Sequence, residues 1–265
     1  MHPVNAGDVL LLRGPATASP HVPEKAVAAA RAEADIVVVA FHMGLIGRPV
    51  VLQYQTELAM RAVDAGADVI TMGNHTFGKQ DILKLFDTEK NIIRPANYPD
   101  SVPGCGSVII SAKGVKIGII NIMGRVNIDI PLDCPFKACD KEIEKIKDKC
   151  DIIMVDFHAE ATSEKRAMLF YLDGRVSAIF GTHTHVQTAD EEVTGRGTGY
   201  ITDLGMTGCI DSVLGVDKNI IVNRFTTGMP RRFDYSYGRA ALCGAVFAID
   251  EKSGRCTGIK RIRVL

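Results

Sequence analysis

Short, continuous apolar runs alternate along the chain with longer stretches in which apolar positions recur every three to four residues, the rhythm of an α/β layered fold. The segment Asp35-Ile-Val-Val-Val-Ala-Phe41 is β-branched and uninterrupted, as a strand covered on both faces would be. Ala67–Met72, Asp151–Phe157 and Val176–Phe180 read the same way. Helices are expected at Pro23–Glu33, where the proline sits in the first turn and no backbone donor is missed, and at Gln53–Asp64, Lys79–Phe86, Phe136–Lys149 and Thr162–Leu172. Ser107–Ser111 and Val115–Ile122 form a β-rich region around Lys113-Gly114, and Ala241–Ile249 with Thr257–Val264 predicts a C-terminal hairpin. Pro15 and Pro20 flank Ala16-Thr-Ala-Ser19, so residues 1–20 are expected to be a loop or arm.

Composition narrows the class. With 265 residues, 46% of them hydrophobic and 23% charged, the chain can bury a full core, which excludes a disordered protein. Thirty-one basic residues balance 31 acidic ones, so there is no electrostatic footprint for wrapping nucleic acid or coating an anionic membrane, and a small substrate is expected instead. No apolar run approaches the roughly 18 residues of a membrane helix, and the N-terminus lacks the basic-then-apolar order of a signal peptide. A cytoplasmic location follows as the expectation. The seven scattered cysteines never fall in C-x-x-C spacing and read as reduced thiols.

One compositional shift stands out. Residues before about 70 are rich in Ala and Arg, with Lys25 as the only lysine, whereas IIRPAN, VKIGIINI and KEIEKIKDK farther on are rich in Lys and Ile. Either a pair of helices is locally Ala-rich, or two sequences are fused near residues 66–73.

The candidate chemistry lies at the ends of the expected strands. His75, His158, His183 and His185 each follow a buried run, and the carboxyl ends of strands in open α/β sheets are where ligands gather. Neutral imidazoles with amide or carboxylate oxygens suit Mn, Fe, Co, Ni or Zn, and a His-x-His pair on extended chain places two rings on one face. Asn74 adds a carbonyl oxygen beside His75, leaving that imidazole available for proton or charge work. Lys79 and Lys165 could reach a phosphate or simply be solvated helix residues, and Glu160 suits an acceptor that holds an imidazole tautomer.

Gly73-Asn-His75, the solitary His158 and Gly181-Thr-His-Thr-His185 resemble, in that order, the signature of calcineurin-type metallophosphoesterases. Longer phrases, Thr71-Met-Gly-Asn-His-Thr76, Arg94-Pro-Ala-Asn97, Asp156–Lys165, Gly181–Asp190 and Ile201–Gly208, resemble YmdB-type bacterial members over about residues 66–265. The resemblance implies one metallophosphoesterase domain over 1–265, an αββα sandwich, and hydrolysis of phosphodiesters of the cyclic-nucleotide class by a metal-activated water. It also implies two divalent ions, Fe, Mn or Zn. Carried over to this chain, Asn74, His158 and His183 hold one ion and His185 the other, with His75 as acid or charge stabiliser. A homo-oligomer is the expected assembly.

The N-terminal part departs from that pattern. The family has an Asp after its first strand and a bridging Glu after its second. Here Asp8 stands in a Gly-Asp pair and is either a metal carboxylate or a turn residue. At the second position stands Phe41, or Met43 in a shifted register, and neither bridges cations; His42 is either a replacement ligand or a bystander. A single ion and a catalytically impaired regulatory protein are therefore the alternative. Residues 22–70 instead resemble CapA-type proteins of capsule and poly-γ-glutamate synthesis, through Phe41-His-Met-Gly44 and Asp64–Asp68, which suits a hybrid chain.

Overall fold

The computed structural model describes residues 9–13, 27–28, 30–32, 34–40, 60–77 and 82–265. Asp8, Phe41, His42, Met43 and Lys79 lie outside the described residues. Two sheets carry the fold. In the first, β1 (Val9–Arg13), β2 (Ile36–Ala40), β3 (Val69–Thr71) and β4 (Ile92–Ile93) run parallel in that spatial order. The long strand β12 (Ala240–Ile249) pairs antiparallel with β1, and β11 (Gly208–Cys209) and β13 (Cys256–Val264) each pair with β12. The second sheet has β6 (Val115–Met123), β7 (Ile152–His158), β8 (Ala178–Thr182) and β10 (Gly199–Ile201) in parallel, flanked by antiparallel β5 (Ser107–Ala112) and β9 (Glu192–Val193).

Side-chain alternation explains why these runs stack into layers, because successive residues of a strand face opposite sides. Ile36 and Val38 of β2 face the space between the sheets, where they meet Ile117, Ile119, Met154 and Phe180, while Val37 and Val39 face outward toward Val27, Ala30 and Ala62. Ile153, Val155 and Phe157 of β7 face outward against Cys139, Ile143, Met168 and Leu172 of α2 (Pro135–Ile146) and α3 (Thr162–Leu172). Residues 60–64 are helical, and α1 (Ile82–Thr88) packs Leu85 and Phe86 on the same outer face of the first sheet. The order is helix, sheet, sheet, helix, the αββα sandwich that the resemblance implies.

The pattern-based expectations for β2, β3, β7, β8, α2, α3 and the C-terminal hairpin agree with this structure to within a few residues. Residues 1–20 do not form only an arm. Val9–Arg13 is an interior strand between β2 and β12, and its identity as a strand depends on partners at both ends of the chain. The residues on either side of 66–73 share one sheet, because β3 pairs directly with β2 through Val38↔Val69 and Val39↔Ile70.

Candidate metal centre

Three strand ends meet at one place. Asn74 follows β3, His158 ends β7 and His183 follows β8. The chain can bring them together because the turn after β3 is tight, with Thr76 donating from both its amide and its hydroxyl to the Gly73 carbonyl. Gly73 is required there, since a Cβ would overlap the His158 ring.

Beneath the cluster, buried hydroxyls set the state of His158. Asp156 and His158 alternate on β7 and both point between the sheets. Thr71 donates to Asp156 Oδ2 at 2.5 Å and Thr182 donates to Asp156 Oδ1 at 2.8 Å. Thr182 has spent its only proton, so its oxygen accepts from His158 Nδ1, 3.0 Å away. His158 Nε2 then carries no proton and acts as an acceptor. It faces Asn74 Oδ1 at 3.1 Å and His183 Nδ1 at 3.1 Å. His183 Nε2 lies 3.0 Å from Glu160 Oε2, which orients that ring. Two imidazole nitrogens and one amide oxygen thus converge at the strand ends, a donor set that suits a divalent cation. Among the described residues no group of three or more His, Cys, Asp or Glu side chains is gathered around one point; the donor set is two imidazoles and one amide oxygen.

The His183–His185 loop is held against strain. His183 and His185 both adopt positive φ, 105° and 67°, a region non-glycine residues rarely enter. Asp203, fully buried, clasps the loop: its carboxylate accepts from the Thr184 amide at 3.1 Å and the Gly205 amide at 2.9 Å, and its backbone exchanges bonds with Thr188. Lys165, equally buried, pairs with the same carboxylate at 2.8 Å. Lys165 therefore serves the scaffold and is neither a solvated helix residue nor placed to reach a phosphate. Arg94 and Asn97 of the R-P-A-N phrase are scaffold as well. Arg94 donates to the carbonyls of Pro95, Val102 and Pro103, and Asn97 braces both backbone groups of Met123.

The remaining expected residues fall around this centre. His75 is half-buried beside Asn74, and burial lowers its pKa, so the imidazole is neutral at pH 7. His185 lines a neighbouring cavity of about 450 Å³ with residues of β11, β12 and β13. Sequence reasoning missed the Thr71–Asp156–Thr182 network as chemistry. The available signal was a carboxylate two residues before a histidine inside an otherwise apolar strand.

A family model described as YmdB-like protein matches residues 27–262. The chain belongs to the YmdB-like family. It is 46% identical over 202 residues, 76% of each chain, to a 2′,3′-cyclic-nucleotide 2′-phosphodiesterase of Bacillus subtilis strain 168. Two crystal structures share its shape: a hypothetical protein from Thermus thermophilus, with 33% identity, TM-score 0.84 and coverage of 97% of this chain and 98% of that one, and a novel phosphatase from Mycoplasma pneumoniae, with 31% identity, TM-score 0.82 and coverage of 98% and 94%. The YmdB-like match spans residues 66–73 and reaches back to residue 27. It gives no support to a CapA-like segment or a hybrid chain.

Proposed function

We infer that this chain is a metal-dependent phosphodiesterase or phosphatase acting on small phosphodiesters of the cyclic-nucleotide class. The observation that carries the reading is the convergence of His158 Nε2, His183 Nδ1 and Asn74 Oδ1 at three strand ends. The names of the Bacillus and Mycoplasma relatives support the substrate class and the phosphoric ester chemistry. Asn74, His158 and His183 would hold one divalent ion, of Fe, Mn or Zn type, and we assign His185, with Asp8 or His42, to a second. Bound there, such an ion supplies positive charge to a phosphoryl oxygen and lowers the pKa of water toward neutrality.

The protein's own groups do the rest. The Asp156–Thr182 pair would hold the His158 proton on Nδ1, and Glu160 would orient the His183 ring from its Nε2 side. His75, a neutral imidazole beside Asn74, would donate a hydrogen bond to the leaving oxygen. The test is elemental analysis of purified protein together with hydrolysis of bis(p-nitrophenyl) phosphate, with and without Mn²⁺, on wild type, His158→Ala and His183→Ala. Bound metal and turnover lost in both variants are expected. Bound metal without turnover would favour the regulatory alternative raised by Phe41, and neither metal nor turnover would overturn the proposal.

A further inference from the structure

Apart from His185, the residues lining the cavity beside it have no role in the chemistry described so far. Its volume of about 450 Å³ falls within the roughly 300–1,000 Å³ typical of small-molecule sites. His185 stands two residues after His183, so the cavity opens from the same loop that carries the histidine cluster. One part of its wall is apolar, with Met206, Ile210 and Leu214, and another carries Ser212, Arg261 and Arg263.

The two arginines differ. Arg261 is committed to the protein: it donates to the Thr188 carbonyl at 3.0 Å, and Glu191 lies 3.8 Å from its Nε. Arg263 stands directly across the β12–β13 ladder from Cys243, which also lines the cavity. Among the described residues, no carbonyl or carboxylate accepts from its guanidinium. Among the described residues, Arg263 is therefore a cation of the cavity wall that no acid neutralises. A guanidinium fork matches phosphate oxygens in a bidentate pair, and an apolar wall with a hydroxyl nearby suits a nucleobase.

We propose that this cavity takes the nucleoside of the substrate and that Arg263 pairs with a second phosphate on it, so that the preferred substrate is a cyclic phosphodiester nucleotide bearing a further terminal phosphate. This rests on the phosphodiesterase reading above. The cyclic phosphodiester carries a single negative charge and is directed to the histidine cluster, which leaves a second anion as the partner for Arg263.

Two measurements test it. The first compares kcat/KM for 2′,3′-cyclic AMP and for the same nucleotide carrying a 5′-phosphate, in wild type, Arg263→Ala, Arg263→Lys and Arg231→Ala; Arg231 is exposed and bonded to Asn223, outside the cavity lining. Wild type should prefer the 5′-phosphorylated substrate about tenfold, as a charge-assisted hydrogen bond allows. The preference should vanish in Arg263→Ala, persist in part in Arg263→Lys and stay intact in Arg231→Ala. Equal rates on both substrates in wild type, or a preference that survives Arg263→Ala, would overturn the assignment.

The second measurement is calorimetric binding of adenosine 5′-monophosphate against adenosine, which reads the cavity without turnover. Tighter binding of the monophosphate, lost in Arg263→Ala, supports the site, and no difference overturns it. Absence of hydrolysis on every substrate with this binding difference intact would sink the phosphodiesterase reading while leaving the cavity assignment standing.

Discussion

At the scale of single residues, the centre depends on where a few protons sit. His158 can be an acceptor at Nε2 only because Thr182, having given its own hydrogen to Asp156, takes the Nδ1 proton. Thr182→Val removes both bonds with little change in shape. Partners that orient a ligating histidine in this way are worth 10- to 100-fold in affinity or activity, so Thr182→Val should lower kcat/KM by about that factor and weaken Mn²⁺ retention in parallel. Titration of the variant with Mn²⁺ and steady-state kinetics check this; unchanged metal affinity would show that the tautomer is set elsewhere. The strand-end histidines were legible in the sequence because each follows a buried run. The threonines were not, because a hydroxyl acquires a role only through the atoms that fold against it.

At the scale of elements, Asp203, just after β10, links helix α3 to the loop after β8: it forms a buried pair with Lys165 and accepts from the Thr184 amide. Lys165 Nζ and Asp203 Oδ2 lie 2.8 Å apart, and both side chains are almost wholly removed from water. Removing one partner from such a pair leaves an uncompensated charge in the interior, which costs about 3–5 kcal/mol. Lys165→Met and Asp203→Asn are each expected to lower the urea midpoint accordingly, with Asp203→Asn also disturbing the loop that presents His183 and His185. Equilibrium unfolding of the two variants measures the cost, and a loss below about 1 kcal/mol would mean that the pair is solvated in solution. From the chain alone Lys165 reads as a surface helix residue, since helix periodicity alone does not reveal which long side chain finds a buried acid 38 residues away.

At the scale of the whole molecule, two sheets share one interior, and groups locked into it titrate with the fold. Tyr200 is buried on β10, with its hydroxyl 2.9 Å from Thr202 Oγ1, and burial pushes its phenol up to about 12. The folded state holds this proton more tightly than the unfolded chain, whose phenols ionise near about 10. The resulting stability is intact below pH about 10 and is lost as pH rises from there toward about 12. Burial raises Tyr98 as well, so an ultraviolet titration of tyrosinate should show late-ionising phenols, Tyr200 among them, that titrate together with alkaline unfolding. If all six tyrosines ionised together near pH 10 with the fold intact, Tyr200 would not be buried as described.

The sequence by itself determined the layered α/β class, the strands β2, β3, β7 and β8, the helices α2 and α3, and the histidines at the strand ends. Those features follow from local periodicity and from the fact that a parallel strand ends where its apolar run ends. Only the tertiary structure decided that Val9–Arg13 is an interior strand, because it gains that status from β2 on one side and from β12 on the other, more than 200 residues away in sequence. The same holds for the Thr71–Asp156–Thr182 network, for the burial of Lys165, and for the cavity that sets His185 beside Arg263. Each requires groups far apart in the chain to meet in three dimensions, and no local pattern encodes that meeting.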